Sequence, residues 1–516
     1  MNWHPRPTVA LIVIAVLAAF TAVLGQGCNR ASSPTPPARL RIQFGTEPVS
    51  LDPALAEDGI SLHLLSNVME GLVGYTAKGS IENRLAENYT QSPDGLKYEF
   101  TLRSGCKWSD GKVVTAQDFV TGLRRSLDPK MGSKLAAMVP FIKEVKTQSA
   151  DGSDHLVILL KKRVPYFVKT LVLPFAYPLR QDILDANQGK WPESAPSTGS
   201  YRIVSHLRDQ KMVLEENPFY CGPKPHLNSI EIVFVSDDST ALNLFDRGSL
   251  DILVKVGALD FDGLLKRGLI HATPFEATYY IAFNTRKAPF NDRDWRRAVA
   301  SSIRKDEIVA ALNTGDIPAR SWVPIGVEGY IPYSPVTFSD SVDKVRRILK
   351  ATPKNSPVPV NFDSGARNQM IMEKIQQDLS KALGLQISLN NLDWKTYLKT
   401  MATDASPIYR MGWMAPFMDP ISHLQVFMRG NPNNFTGWAN DRYDQLVREI
   451  ESMELGPERE KRVLQAQKIL LEDEAVIVPI YHYILNHAVS KRVTGFECNP
   501  FGVVKFGELG LRYALY

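Results

Sequence analysis

Leu85-Ala86-Glu87-Asn88-Tyr89, Ser92-Pro93-Asp94-Gly95, Lys97-Tyr98-Glu99-Phe100-Thr101-Leu102, Lys107-Trp108-Ser109-Asp110-Gly111 and Thr115-Ala116-Gln117-Asp118 follow one another in the first quarter of the chain. They read as a strand, a turn, an alternating strand, a second turn and a helix start. Period-two alternation marks the strand, and Pro, Asp and Gly punctuate the turns. Thr115 and Asp118 have capping-box spacing, so the helix runs over Phe119 to Ser126.

Upstream, Leu40-Arg41-Ile42-Gln43-Phe44 alternates like a strand, Glu47 to Pro53 turns away, and Ser61 to Leu72 has a helical period. Past residue 200, strands such as Ile230 to Val235 and Tyr279 to Phe283 alternate with helices such as Trp295 to Ile303 and Gln369 to Leu383. Val342 to Lys350, Asp444 to Met453 and Glu458 to Leu471 add amphipathic helices. This alternation predicts α/β sheets with crossover helices. The 516 residues exceed one core and predict two or three domains. The net charge of +5 is spread over 60 basic and 55 acidic side chains without a basic block, which argues against nucleic acid as a partner.

Arg6 and the terminal amine precede an apolar run, Thr8 to Leu24, and then Gly25-Gln26-Gly27-Cys28 and a Ser/Pro/Ala linker. This is the pattern of a secretory signal. Cys28 directly after small residues looks like a lipoprotein signal, with Gly25 where Leu is usual; an uncleaved membrane anchor is the alternative. Either reading places residues from about Arg39 outside the cytoplasm. Cys106, Cys221 and Cys498 then remain. They form no disulfide framework, and a Cys221–Cys498 pair is one possibility.

No HExxH, G-x-S-x-G, P-loop or G-x-G-x-x-G occurs, and His482 and His487 miss the i, i+4 spacing of a zinc helix. The sequence therefore predicts no enzyme, no metal and no cofactor.

The Ser-Pro-Asp-Gly, Lys-Trp-Ser-Asp-Gly and Val-Thr-Ala-Gln-Asp-Phe-Val motifs resemble the peptide-binding proteins of ABC importers (solute-binding family 5). Val164-Pro165-Tyr166-Phe167, Ser197 to Arg202, Thr278-Tyr279-Tyr280, Lys287 to Asp292, Trp394-Lys395-Thr396, Gly412-Trp413 and Ile477 to Tyr481 continue the likeness in family order. The resemblance implies an α/β, two-lobed periplasmic-binding-protein fold (type II) with an extra domain inserted in the first lobe and a ligand cleft between the lobes. The implied division is 1–27 signal peptide, 28–39 lipid-anchored linker, 40–71, 191–275 and 490–516 lobe one, 72–190 insert, and 276–489 lobe two, with hinges near 275 and 489. It further implies a monomeric receptor at the cell surface or in the periplasm, handing peptides or peptide-like solutes to a permease and ATPase. A ligand-presenting sensor or chaperone, or a receptor for a nickel or haem complex, are alternatives on the same fold.

By the same resemblance the ligand meets Tyr409 to Pro420. Trp413, Met414 and Ala415 from lobe two, and Val49 and Ser50 within Glu47 to Ser50 of lobe one, would pair with its backbone. Trp413 and Trp394 would wall its pockets. Arg410 would meet a ligand carboxylate or a neighbouring acid. The family places an aspartate three residues after this Trp for the ligand's ammonium, where this chain has Pro416. Asp419 either takes that role or caps a helix over Ile421 to Phe427. Arg367-Asn368 stands where the family has a His, which places Asn368 at the ligand's far end.

Overall fold

Two strands longer than all others, Ile270–Phe283 and Ile477–Val489, run antiparallel through the middle of an 11-stranded sheet. In the computed structural model, which describes residues 39–150, 153–351 and 356–512, they pair from Ile270↔Ala488 to Pro274↔Ile484. The register slips between Pro274 and Thr278, and pairing resumes from Thr278↔His482 to Ala282↔Ile477. Proline has no N–H to give the ladder, so the interruption begins where the sequence removes a donor. The expected signal peptide, Cys28 and its linker up to Ala38 lie outside the described residues.

On one side of this pair stand Ile252–Leu253, Leu40–Phe44, Ser229–Phe234, Lys211–Glu216 and Tyr201–Leu207; on the other stand Ile408–Met414, Val358–Asp363 and Ile387–Leu392. Leu40–Phe44 is parallel to both of its neighbours, as is Val358–Asp363. Parallel neighbours need crossover connections. Helices Asp238–Asp246 and Ala366–Leu383 supply two of them. The fold is thus mixed α/β.

A separate four-stranded antiparallel sheet joins Ala86–Gln91, Lys97–Leu102, Ser153–Leu160 and Ile142–Ala150. Helix Ala116–Leu127 has both arms of the capping box between Thr115 and Asp118. The indole Nε1 of buried Trp108 also donates to Asp118, at 3.2 Å, so the second turn and the helix start are one unit. The helix expected over 421–427 is a single turn, Ile421–Leu424, followed by a 3-10 turn to Phe427.

The C-terminal segment closes the structure around its first strand. His63 lies between the rings of Phe44 and Phe506, 5.1 and 5.2 Å away. Asn67 donates to Val504 O at 3.0 Å and accepts from Phe506 N–H at 2.7 Å. Cys106 bonds to Cys221, 115 residues away, so Cys221 does not pair with Cys498, which is buried and free. A cross-link closing so long a loop stabilises chiefly by restricting the unfolded chain, by roughly 2–4 kcal/mol. The Cys106→Ser/Cys221→Ser double variant should unfold at a clearly lower temperature than the oxidised protein in calorimetry. Reductant should lower the wild-type midpoint and leave the variant unmoved.

Candidate functional site

Strand Ile408–Met414 pairs with 277–283 along its whole length, from Phe283↔Ile408 to Ala277↔Met414. On its other side the ladder to Val358–Asp363 covers only Val360↔Ile408 and Asn361↔Tyr409. Arg410 to Met414 therefore present a strand edge with no ladder partner among the described residues. Such an edge is a template for an added strand. Gly412 leaves room for a neighbour on the sheet face: a Cβ there would stand 3.2 Å from the Tyr483 hydroxyl.

Apolar side chains flank this edge. Met414 is 46% exposed and Trp394 51%, although neither is short of apolar area to bury. Trp394 and Leu398 share one face of helix Trp394–Asp404, capped by Asp393, whose carboxylate accepts from Thr396 N–H at 3.0 Å. Buried Tyr397 ties the helix to the strand by donating to Arg410 O. Leu398 escaped the sequence reading, although its i, i+4 spacing from Trp394 marks it. Trp413 is half-buried, its indole N–H held by Ser422 O at 2.9 Å.

Beneath the edge is a charged and aromatic layer. Arg410 bonds Asp363 at 2.5 Å and lies 4.7 Å from the centre of the Tyr279 ring. Burial opposes its charge, but Tyr279, Tyr483 and Asp363 outweigh that and hold the guanidinium ionised. Asn368 is buried. It donates to Asp363 O and Oδ2 at 3.1 Å and accepts from the Tyr279 hydroxyl at 3.3 Å. Its place is in the layer that orients Arg410. Arg367 is the more open neighbour, paired with Asp316 and stacked 5.0 and 5.6 Å from the rings of Tyr481 and Tyr483.

The loop beyond Met414 is pinned from outside the strand. Buried Ala415 donates to Glu276 O at 3.0 Å. Phe417 stacks on Tyr166 at 5.5 Å, and the Met418 N–H reaches the Tyr75 hydroxyl at 3.0 Å. Asp419 has no exposed surface. Its carboxylate bonds Arg459 at 2.5 Å and Lys169 at 3.1 Å, and accepts from Ile421 N–H at 3.1 Å. It stands one residue before the Pro420 cap of the short helix, accepts from that helix's first N–H and neutralises two cations, with no free face for a ligand ammonium in this structure. Glu276 and His423, both wholly buried, meet at 3.1 Å. Burial, reinforced by the nearby Asp419 charge, pushes Glu276 well above the usual carboxyl range. Burial pulls His423 down to about 3. A protonated Glu276 donating to a neutral imidazole satisfies both directions.

From the other half of the sheet comes the segment around Val49, which is 82% exposed. Ser50 N–H is held by Ser61 Oγ at 3.2 Å, and Ser50 Oγ accepts from Asp52 N–H at 3.1 Å. Among the described residues no cluster of three or more His, Cys, Asp or Glu is arranged to hold a metal ion.

Residues 80–435 match the family model described as bacterial extracellular solute-binding proteins, family 5 Middle. The chain belongs to this family. It is 28% identical to the oligopeptide-binding protein OppA of Bacillus subtilis, over 97% of both chains. It is also 28% identical to the periplasmic oligopeptide-binding protein OppA of Salmonella typhimurium, over 94% of this chain and 93% of that one. Among solved structures, the unliganded open form of the periplasmic murein tripeptide-binding protein MppA superposes with a TM-score of 0.79 at 25% identity, over 93% of this chain and 99% of that one. The two-lobed α/β fold expected from the motifs is the fold of this protein.

Asp419→Ala should leave buried Arg459 with one carboxylate of two, that of Glu328, and Lys169 with only the Met418 carbonyl, and destabilise the fold by about 3–5 kcal/mol. Chemical denaturation measures this directly. For Glu276, a folded pKa above the unfolded one gives stability that is complete at acid pH and is lost as pH rises from the ordinary carboxyl range towards the folded value. Glu276→Gln keeps the hydrogen bond without the proton. Its melting temperature should exceed that of the wild type at alkaline pH, with the gap shrinking on acidification.

Proposed function

We propose that this protein is the receptor of an ABC importer, binding peptides or peptide-like solutes between its lobes and passing them to a separate permease driven by a separate ATPase. The observation that carries this reading is the unpaired strand edge from Arg410 to Met414, flanked by Trp413 and by exposed Trp394 and Met414, in a chain of solute-binding family 5. A peptide backbone added to such an edge gains affinity from main-chain hydrogen bonds, while apolar walls take side chains of varied shape. Val49 and Ser50 complete the grip from lobe one, and Ala415 closes the strand end. Arg410, steadied by Asp363 and Asn368, offers its remaining N–H groups to a ligand carboxylate. The relatives named above bind oligopeptides or a murein tripeptide by their names, which supports the same ligand class here.

The ligand we infer is not a generic peptide with a free amine. Pro416 has no charge, and Asp419 is spent on Arg459 and Lys169. A free ammonium buried beside this loop would lose water without gaining a partner, which is costly. Blocked or modified peptides, wall-derived peptides and non-peptide solutes avoid that cost.

The lobes we assign are 40–71, 191–275 and 490–516 for the first, with 72–190 inserted, and 276–489 for the second. The signal at 1–27 and a lipid on Cys28 would tether a monomer outside the cytoplasm, in the periplasm or at the cell surface. The Cys106–Cys221 bond supports an oxidising compartment. The receptor carries out no chemistry of its own and needs no cofactor. Calorimetry against matched short peptides should give tighter binding for the N-acetylated set, and Trp413→Ala should weaken it. Tighter binding of the free-amine set would overturn the ligand class.

A further inference from the structure

The segment that precedes Val49 is held by an arrangement that no part of the ligand reading uses. His206, on strand Tyr201–Leu207, has a side chain only 8% exposed. Its Nε2 lies 2.9 Å from Glu47 Oε1, and its Nδ1 lies 2.9 Å from Glu193 Oε2. A neutral imidazole has one N–H and cannot donate to two carboxylates, whereas an imidazolium donates to both. Arg208 spans the same two acids, 2.9 Å from Glu193 and 3.6 Å from Glu47. The backbone N–H of exposed Asp209 adds a bond of 2.6 Å to Glu47, and the Phe234 ring stands edge-on to the imidazole at 6.0 Å. Burial raises Glu47, but the bonds from Asp209 and His206, with Arg208 beyond, outweigh it and leave that carboxylate below its usual range.

We propose that His206 is a positioning residue: as an imidazolium clasped between Glu47 and Glu193, it fixes the lobe-one segment Glu47–Ser50 in its ligand-ready shape. The proposal rests on the assignment of that segment to the ligand site. Two anchors bracket the segment, the clasp at Glu47 and the Ser61 hydroxyl at Ser50. Between them stand only Pro48, whose ring fixes φ, and Val49, which projects almost fully into solvent. A side chain so exposed is set in place by its two neighbours rather than by packing. Without the His206 ring, Glu47 keeps only the Asp209 N–H and the more distant Arg208, and the anchor is weakened.

The test is amide hydrogen exchange read by mass spectrometry over peptides covering residues 45–52, without ligand and corrected for the intrinsic exchange rate. These peptides should be about tenfold less protected in His206→Gln than in the wild type, while peptides from strand Leu40–Phe44 stay as protected as in the wild type. Glu193→Gln, at the more open of the two acids, should fold normally and lose part of that protection. A His206→Gln variant as protected as the wild type would overturn the proposal. No ligand is present, so either result leaves the receptor reading untouched, and failed peptide binding leaves the clasp untouched.

Discussion

Every element near the candidate site hangs on the antiparallel pairing of Ile270–Phe283 with Ile477–Val489. These strands are hydrogen-bonded to both halves of the large sheet, so the halves share a backbone ladder instead of a mere contact surface. The ladder's register shifts between Pro274 and Thr278 and again between Tyr279 and Tyr280. Glu276 sits within the slip. Its N–H donates to Pro500 O and its carbonyl accepts from Ala415, so the slip, the C-terminal segment and the loop after Met414 meet at one residue.

Buried charge gathers beside this slip in the ladder. Asp419, Arg459, Lys169 and Glu328 form a connected set, and Glu276 and His423 form a neutral pair nearby. A loop that ends a strand edge exposes main-chain groups that would collapse onto water or ligand unless held from behind. Aromatic stacking of Phe417 on Tyr166 and the Asp419 ion pairs hold it. Pairs of this kind add little net stability over a packed apolar core, but they fix one arrangement, because every alternative strands a charge.

Much of the fold was legible in the sequence because its signals are local. The capping box at Thr115 and Asp118 formed as spaced, and helices expected over 369–383 and 444–453 formed as Ala366–Leu383 and Asp441–Ser452. The site was legible only in part, because its partnerships are not local. Arg410 finds Asp363 across 47 residues, and Asp419 finds Arg459 across 40 and Lys169 across 250. Nothing in the residues around Asp419 says that its charge is already matched. Cys221 likewise pairs with Cys106, a choice set by tertiary distance that no spacing encodes. The exposed face shared by Trp394 and Leu398 was readable from helical period, but only a structure shows that it remains uncovered beside an open strand edge.

The contact between the two distant ends of the described chain makes the first strand a non-local element. The strand Leu40–Phe44 and the helix behind it depend on Val504 and Phe506, which supply the partners of His63 and Asn67. Val504 stands 441 residues beyond His63. Without that segment the front of the chain lacks a wall of its core and the partners of buried polar groups. The first strand therefore cannot complete its own surroundings, and its stability is set by a part of the chain that shares none of its local sequence signals.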